Sequence, residues 1–347
     1  MLDSAPLIST DPTPGGRRQS STDLDLAETV TAVLKFLYTN NPFYVLSAWM
    51  VFVGLRMSFD TTGDTFQTDG LMLGLTGYTT LLAASACYLV RAGRVWDDVR
   101  SMLVLVVLMC LAISVCFDET LAANPRVGAF YYLGGLVFSV VVSEGVLFGL
   151  PLRLPAGFRI PYYLLLALFF LYPVALSPLI YDPADPRLLW GLFGFSTAAG
   201  AVFLTLLPAV RRGPDYVRDN GSPWPWPWYP WVLFGTLALG VLGRAYYLCI
   251  SLHFVGDGTN IFAPYFWVPL VLAAGVVLLE AAMVARRAGL VAVAMAAPLV
   301  AVALSITGES WMPVSRAFVG TFTETLGGTP LFWTLAASAA FYAWCLV

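Results

Sequence analysis

The sequence predicts an all-α fold, a polytopic transmembrane helix bundle of about ten spans. Three observations predict it. Hydrophobic residues make up 59% of the 347 and charged residues only 11%, against about 45–50% and about 25% in soluble domains. Mean hydropathy is +0.78, which excludes a water-soluble globular enzyme. The apolar residues also fall in repeated blocks of about twenty, the length that crosses a hydrocarbon core.

Charge and cysteine usage narrow the class. Eighteen basic against twenty-one acidic residues give a net charge of −3, with no basic cluster long enough to hold nucleic acid. The five cysteines, Cys87, Cys110, Cys116, Cys249 and Cys345, all lie in apolar blocks with no CxxC pair or histidine-rich neighbourhood. They read as packing residues, and neither a disulfide framework nor a metal or other cofactor is expected.

Taken in order, residues 1–22 are rich in Ser, Thr, Pro and Gly and lack an apolar run after Arg17-Arg18. They read as a disordered cytoplasmic tail. Over 23–38, Leu26, Val30, Val33, Leu34 and Leu37 recur at helical spacing while Asp25, Glu28 and Lys35 lie elsewhere on the wheel. This predicts an amphipathic interfacial helix, ended before Pro42. The transmembrane domain, 42–347, follows as apolar blocks near 42–59, 70–90, 101–117, 127–150, 160–180, 188–210, 230–251, 262–285, 289–306 and 329–347.

Orientation follows from the basic residues in alternate loops. One side collects Arg17, Arg18, Lys35, Arg91, Arg94, Arg100, Arg153, Arg159, Arg211, Arg212, Arg218, Arg286 and Arg287; the other has Arg126, Arg187 and Arg316. Both termini are therefore expected in the cytoplasm. The opposite loops are short and acidic, with Asp60, Asp69, Asp118, Glu119, Asp182 and Asp257 among them. The longest cytoplasmic connection, 211–231, alternates Trp and Pro. It reads either as an interfacial aromatic girdle or as an extended docking segment for a protein partner.

An internal repeat is suggested by VLSAWMVFVGLRMSFDTTGDTF (45–66) and VLFGTLALGVLGRAYYLCISLHFVGDGTNIF (232–262). Each carries an arginine near its outer end, then Phe, a Gly-Asp turn, Thr and Phe. The next spans end in Arg91-Ala92-Gly93 and Arg287-Ala288-Gly289, an offset of 287 − 91 = 196. Spans one to four then repeat as seven to ten in parallel, as transporter halves do.

Charges inside the bilayer are the default functional candidates. There are four: Arg56, Glu144, Arg244 and Glu280. Counted at 1.5 Å per residue, the arginines lie roughly 20 Å from the cytoplasmic ends of their spans and the glutamates roughly 8–9 Å, too far apart in depth to pair easily. The other reading is snorkelling, Arg56 outward, and Glu144 and Glu280 inward toward Arg153 and Arg286. Gly135, Ser139 and Ser143 make a small-residue stripe beside Glu144, placing it against protein. Gly240 and Gly243 flank Arg244. Pro173, Pro178, Pro269 and Pro298 interrupt later spans. The one histidine, His253, stands at a span end, and Asp97-Asp98 reads as a helix-capping turn or a phosphate-handling pair.

With TNNPFY (39–44), VWDD (95–98), FDET (117–120), SEG (143–145), LFFLYPV (168–174) and LLPAVRRGPDYVRDNGSPWPWPWYPW (206–231), the chain resembles an uncharacterised family of polytopic membrane proteins of planctomycete type. The resemblance covers nearly everything after residue 30. It implies a bacterial inner-membrane location and brings no activity and no site residue.

Two functions remain. One is a permease or flippase-like transporter of a small or lipid-linked anionic solute, with Arg56 and Arg244 attracting the anion and Glu144 or Glu280 taking up a proton. The other is a membrane-embedded enzyme or assembly factor of envelope biogenesis acting through Asp97-Asp98 or His253.

Overall fold

The computed structural model describes residues 65–180, 186–224, 226, 228–251, 262–308 and 313–346, together with Met50 and Val53. The expected tail, the interfacial helix 23–38, nearly all of the first apolar block with Arg56, and His253 lie outside these residues. Every regular element among the described residues is helical. They are α1 (Thr65–Tyr88), α2 (Asp97–Val115), the short α3 (Asp118–Ala123), α4 (Pro125–Gly149), α5 (Ala156–Leu176), α6 (Pro186–Leu204) and the short α7 (Leu207–Arg211). After the Trp/Pro connection come α8 (Trp228–Ser251), α9 (Val268–Val284), α10 (Ala288–Gly308), α11 (Pro313–Leu326) and α12 (Pro330–Leu346).

Eight of these segments are long and apolar enough to cross a membrane: α1, α2 running on through α3, α4, α5, α6 running on through α7, α8, α9 and α10. The chain is thus multi-pass in character. α12 coincides with the last apolar block at 17 residues. Between α10 and α12 lies α11, which packs Phe318 and Phe322 on Trp190 of α6.

Helix boundaries follow local chemistry. Asn124 caps α4 by accepting from the Val127 N–H, with Pro125 in the first position, where its missing N–H costs nothing. Asp97 and Asp98 occupy the first turn of α2, where carboxylates suit the helix dipole. Asp118 does not lie in an exposed loop, as its place in the sequence suggested. The chain turns at Cys116-Phe117 and resumes as α3, whose first residue is Asp118. α3 can lie on α4 because residue 128 is glycine: a Cβ there would meet the Leu121 Cα at 2.4 Å.

The helices pack around one large core that takes in Phe117, Tyr132, Phe158, Phe169, Phe195 and Phe234, all buried, with smaller clusters around Met102 and Val146 and around Leu279 and Phe341. α2 and α8 run side by side in the same direction. Arg100, near the start of α2, lies 4.7 Å over the Trp228 ring at the start of α8. Midway, a Cβ at Gly240 would approach Leu111 Cδ1 to 2.5 Å. At the far end the two helices are joined through Asp118 and Arg244.

A chain of contacts gathers the basic turns at one end of the bundle. Arg91 Nε donates to the Gly149 carbonyl at the end of α4; the Arg153 N–H donates to the Asn220 carbonyl; Arg211 pairs with Glu280. Asn220 anchors the long connection by donating to the Val217 carbonyl and accepting from Ser222. Gly221 follows at φ +80°, and a Cβ there would collide with the Pro151 carbonyl at 2.2 Å, so this turn requires glycine. The turns after α1 and α9 share one device: Arg94 and Arg286 both take left-handed backbone, φ 53° and 52°.

Gly128→Ala should therefore cost about 1–3 kcal/mol through overpacking, read as a lower melting temperature of the detergent-purified protein. Gly243→Ala, whose added Cβ meets nothing within 4 Å, should leave melting unchanged or slightly raised. Equal behaviour of the two would contradict the α3–α4 packing.

Candidate functional site

The bundle seals one charge cluster from solvent. Arg244 and Asp118 are each 1% exposed. Arg244 reaches Asp118 as a fork, Nη1 to Oδ2 at 2.6 Å and Nη2 to Oδ1 at 2.8 Å. The Tyr132 hydroxyl donates to Oδ1 and accepts from Arg244 Nη2 at 3.0 Å. Ser251 Oγ donates to Oδ2 at 2.6 Å. Each carboxylate oxygen so receives two hydrogen bonds, from residues on α4 and α8. Arg244 Nε is buried with no acceptor, a spare donor in the same cage.

Local structure explains why these four meet. Asp118 starts α3, which continues the path of α2 toward the turn at Asn124; Tyr132 lies two turns into α4, with its ring edge-on to Phe117 and Phe170. Arg244 and Ser251 lie seven residues apart on α8, two turns on one face. The Gly240–Leu111 approach sets the α2–α8 separation at which the fork closes. A bidentate Arg–carboxylate pair with its remaining lone pairs met is the geometry that makes a desolvated ion pair tolerable.

The other two described candidates lie elsewhere. Glu144 is on α4 twelve residues beyond Tyr132, roughly 18 Å along the axis, so it joins Arg244 in no common site. Nor does it face the buried stripe. Ser139 and Ser143 are buried, whereas the Glu144 side chain is 40% exposed, because one residue on turns the side chain by about 100° around the helix. It binds Arg159 and Tyr163 on α5, not Arg153. Glu280 is buried on α9 and accepts from Arg211, Nη2 at 2.6 Å and Nε at 3.1 Å, not from Arg286. Both glutamates serve as ties at the basic end.

Sequence reading did not single out Asp118, Tyr132, Ser251, Arg159 or Arg211. The available signal was the need of a mid-span arginine for a carboxylate at its own depth. Asp118, at the outer end of its block, met that need and was grouped with the loop acids.

Three cavities are lined by described residues, and none of the three has a cage residue on its lining. One of about 120 Å³ lies among α2, α4, α5 and α8, walled by apolar side chains with Arg100, Ser143, Tyr162 and Trp228 on its lining. A groove of about 660 Å³ runs between α8 and α9 beneath the Trp/Pro connection. A third, of about 670 Å³, lies among α6, α9 and α12. The tryptophans of the connection engage the bundle's own rings, Trp224 against Trp96 and Trp226 against Trp231. Among the described residues, no group of three or more His, Cys, Asp or Glu is arranged to hold a metal ion.

Comparison with protein-family models, curated proteins and solved structures finds no match to this chain.

Removing either partner strands a buried charge, so Asp118→Ala and Arg244→Ala should each cost about 3–5 kcal/mol. Replacing both, as Asp118→Leu with Arg244→Met, should recover much of that loss. Glu144→Gln, which breaks a partly exposed pair, should cost no more than about 1 kcal/mol. Chemical denaturation of the purified variants checks all four; additive losses in the double variant would contradict the coupling.

Proposed function

We propose that this chain is a permease or flippase-like transporter of a small or lipid-linked anionic solute in the inner membrane of a bacterium, with ten spans and both termini in the cytoplasm. One observation carries the reading. The donor cage around Asp118 is built for an anion, with two donors on each oxygen and a further buried N–H in reserve. Its present occupant is a carboxylate of the protein itself, on a helix of six residues. An anionic group of the solute exchanges with Asp118 on Arg244, so the site is never left with an unpaired cation. The exchange needs α3 to move off Gly128, which loosens the tie between α2 and α8.

The arginine shared by the first and seventh apolar blocks supports the parallel duplication, as do the turns Arg91-Ala92-Gly93 and Arg287-Ala288-Gly289 that end the next spans. The gathering of basic turns at one end supports the cytoplasmic assignment of that end. Arg56 is assigned the equivalent role in the first half. Glu144 and Glu280 are assigned no step in the exchange.

The second reading, an enzyme or assembly factor of envelope biogenesis, draws on the apolar cavity beside Arg100, which suits a lipid-linked substrate and stands apart from the cage. Proteoliposomes separate the two. Wild-type protein should move fluorescent-tailed phosphatidylglycerol between leaflets, or take up inorganic phosphate, at several times the rate of empty vesicles. Arg244→Lys, which keeps the charge and loses the fork, should cut that rate at least tenfold. Rates equal to those of empty vesicles for both probes would remove the transport reading and leave the second.

A further inference from the structure

The groove between α8 and α9 is separate from the cage, adjoins the cavity beside Arg100 only through Trp228 and Val232, and stands independently of the transport reading. Along α8 it runs from Trp228 to Ala238, and along α9 from Ala274 to Ala285. At 1.5 Å per residue each wall is roughly 15 Å long, half of a hydrocarbon core of about 30 Å. The groove is thus one leaflet deep. Its walls are apolar over that length, and residue 235 keeps it open: a Cβ on Gly235 meets nothing within 4 Å.

At the basic end the character changes. Arg287 stands at the mouth, exposed, with no acidic partner among the described residues. The indole N–H groups of Trp226 and Trp231, both from side chains on the groove wall, are covered from water and have no acceptor. Buried donors left unmet are costly, and Trp belongs at the depth of the headgroups. One exposed arginine beside two tryptophan rings, above a leaflet-deep apolar slot, fits a single molecule that has an anionic phosphate at one end and acyl chains below.

We propose that this groove is a binding site for one anionic phospholipid of the leaflet at the basic end, its phosphate held by Arg287, its headgroup level marked by Trp226 and Trp231, and an acyl chain laid along Gly235 and Ala238. The ligand comes from the bilayer, not from solution.

The full-length protein in nanodiscs, with brominated-chain phosphatidylglycerol or brominated-chain phosphatidylcholine at the same mole fraction, gives the test through tryptophan fluorescence. Wild type should be quenched more by the anionic lipid, and excess inorganic phosphate should leave that preference in place. Arg287→Gln should remove half or more of the preference by loss of charge, and Gly235→Leu should do so by filling the slot. Equal quenching by the two lipids in wild type would overturn the proposal, as would a preference unchanged in both Arg287→Gln and Gly235→Leu, or one abolished by inorganic phosphate.

Discussion

A guanidinium cannot be carried inside an apolar helix bundle without a counter-charge, and much of this architecture is arranged around meeting that demand for Arg244. The carboxylate that meets it belongs to Asp118, 126 residues away in the chain. To bring it there, α2 stops at Val115, the chain turns, and a six-residue helix begins with the aspartate. Gly128 lets that helix lie against α4, and Asn124 caps α4 immediately after it. Tyr132 then completes the carboxylate's Oδ1 from α4 while Ser251 completes Oδ2 from α8. The pair's contribution lies less in net stability than in the arrangement it dictates, since an apolar pair can match a buried ion pair in energy but does not demand a partner.

The opposite end of the bundle uses charge differently. There the arginines are exposed or half-buried and act as ties between turns: Arg91 on the carbonyl at the end of α4, Arg159 on Glu144, Arg211 on Glu280. Such pairs are individually weak in a wet interface, yet each links elements distant in sequence. The Trp/Pro connection is drawn onto this end by Asn220, Tyr216 and Trp228. The result is a bundle with a dry ionic junction at one end of the α2–α8 pair and a polar, hydrated rim with apolar clefts at the other.

Helix class and most span positions were legible in the sequence because they depend on local composition: α2, α4, α5, α6, α8, α9, α10 and α12 lie on the apolar blocks expected of them. Counting residues also kept Arg244 apart from Glu144 along the helices, and Tyr132, which accepts from Arg244, stands twelve residues before Glu144 on α4. Partnership was not legible. Glu144 looked enclosed because its neighbours Ser139 and Ser143 are small, but helical rotation carries it off their face. Asp118 looked like a loop acid because the apolar block ends before it, and hydropathy does not register that the helical path resumes and runs on to Ala123. Arg159 and Arg211, assigned to loops, belong to the helices α5 and α7 and find their glutamates through tertiary packing.

The account rests on a direct contact between one arginine and one aspartate within the bundle, Arg244 Nη1 to Asp118 Oδ2 at 2.6 Å. Solid-state NMR on the protein in lipid, with isotope-labelled arginine side-chain nitrogen and aspartate carboxyl carbon, measures that contact through dipolar coupling. The account predicts a strong short-range coupling in wild type that vanishes in Asp118→Asn, where the labelled carboxyl is gone. A wild-type spectrum without the coupling, or a coupling undiminished in Asp118→Asn, would contradict it.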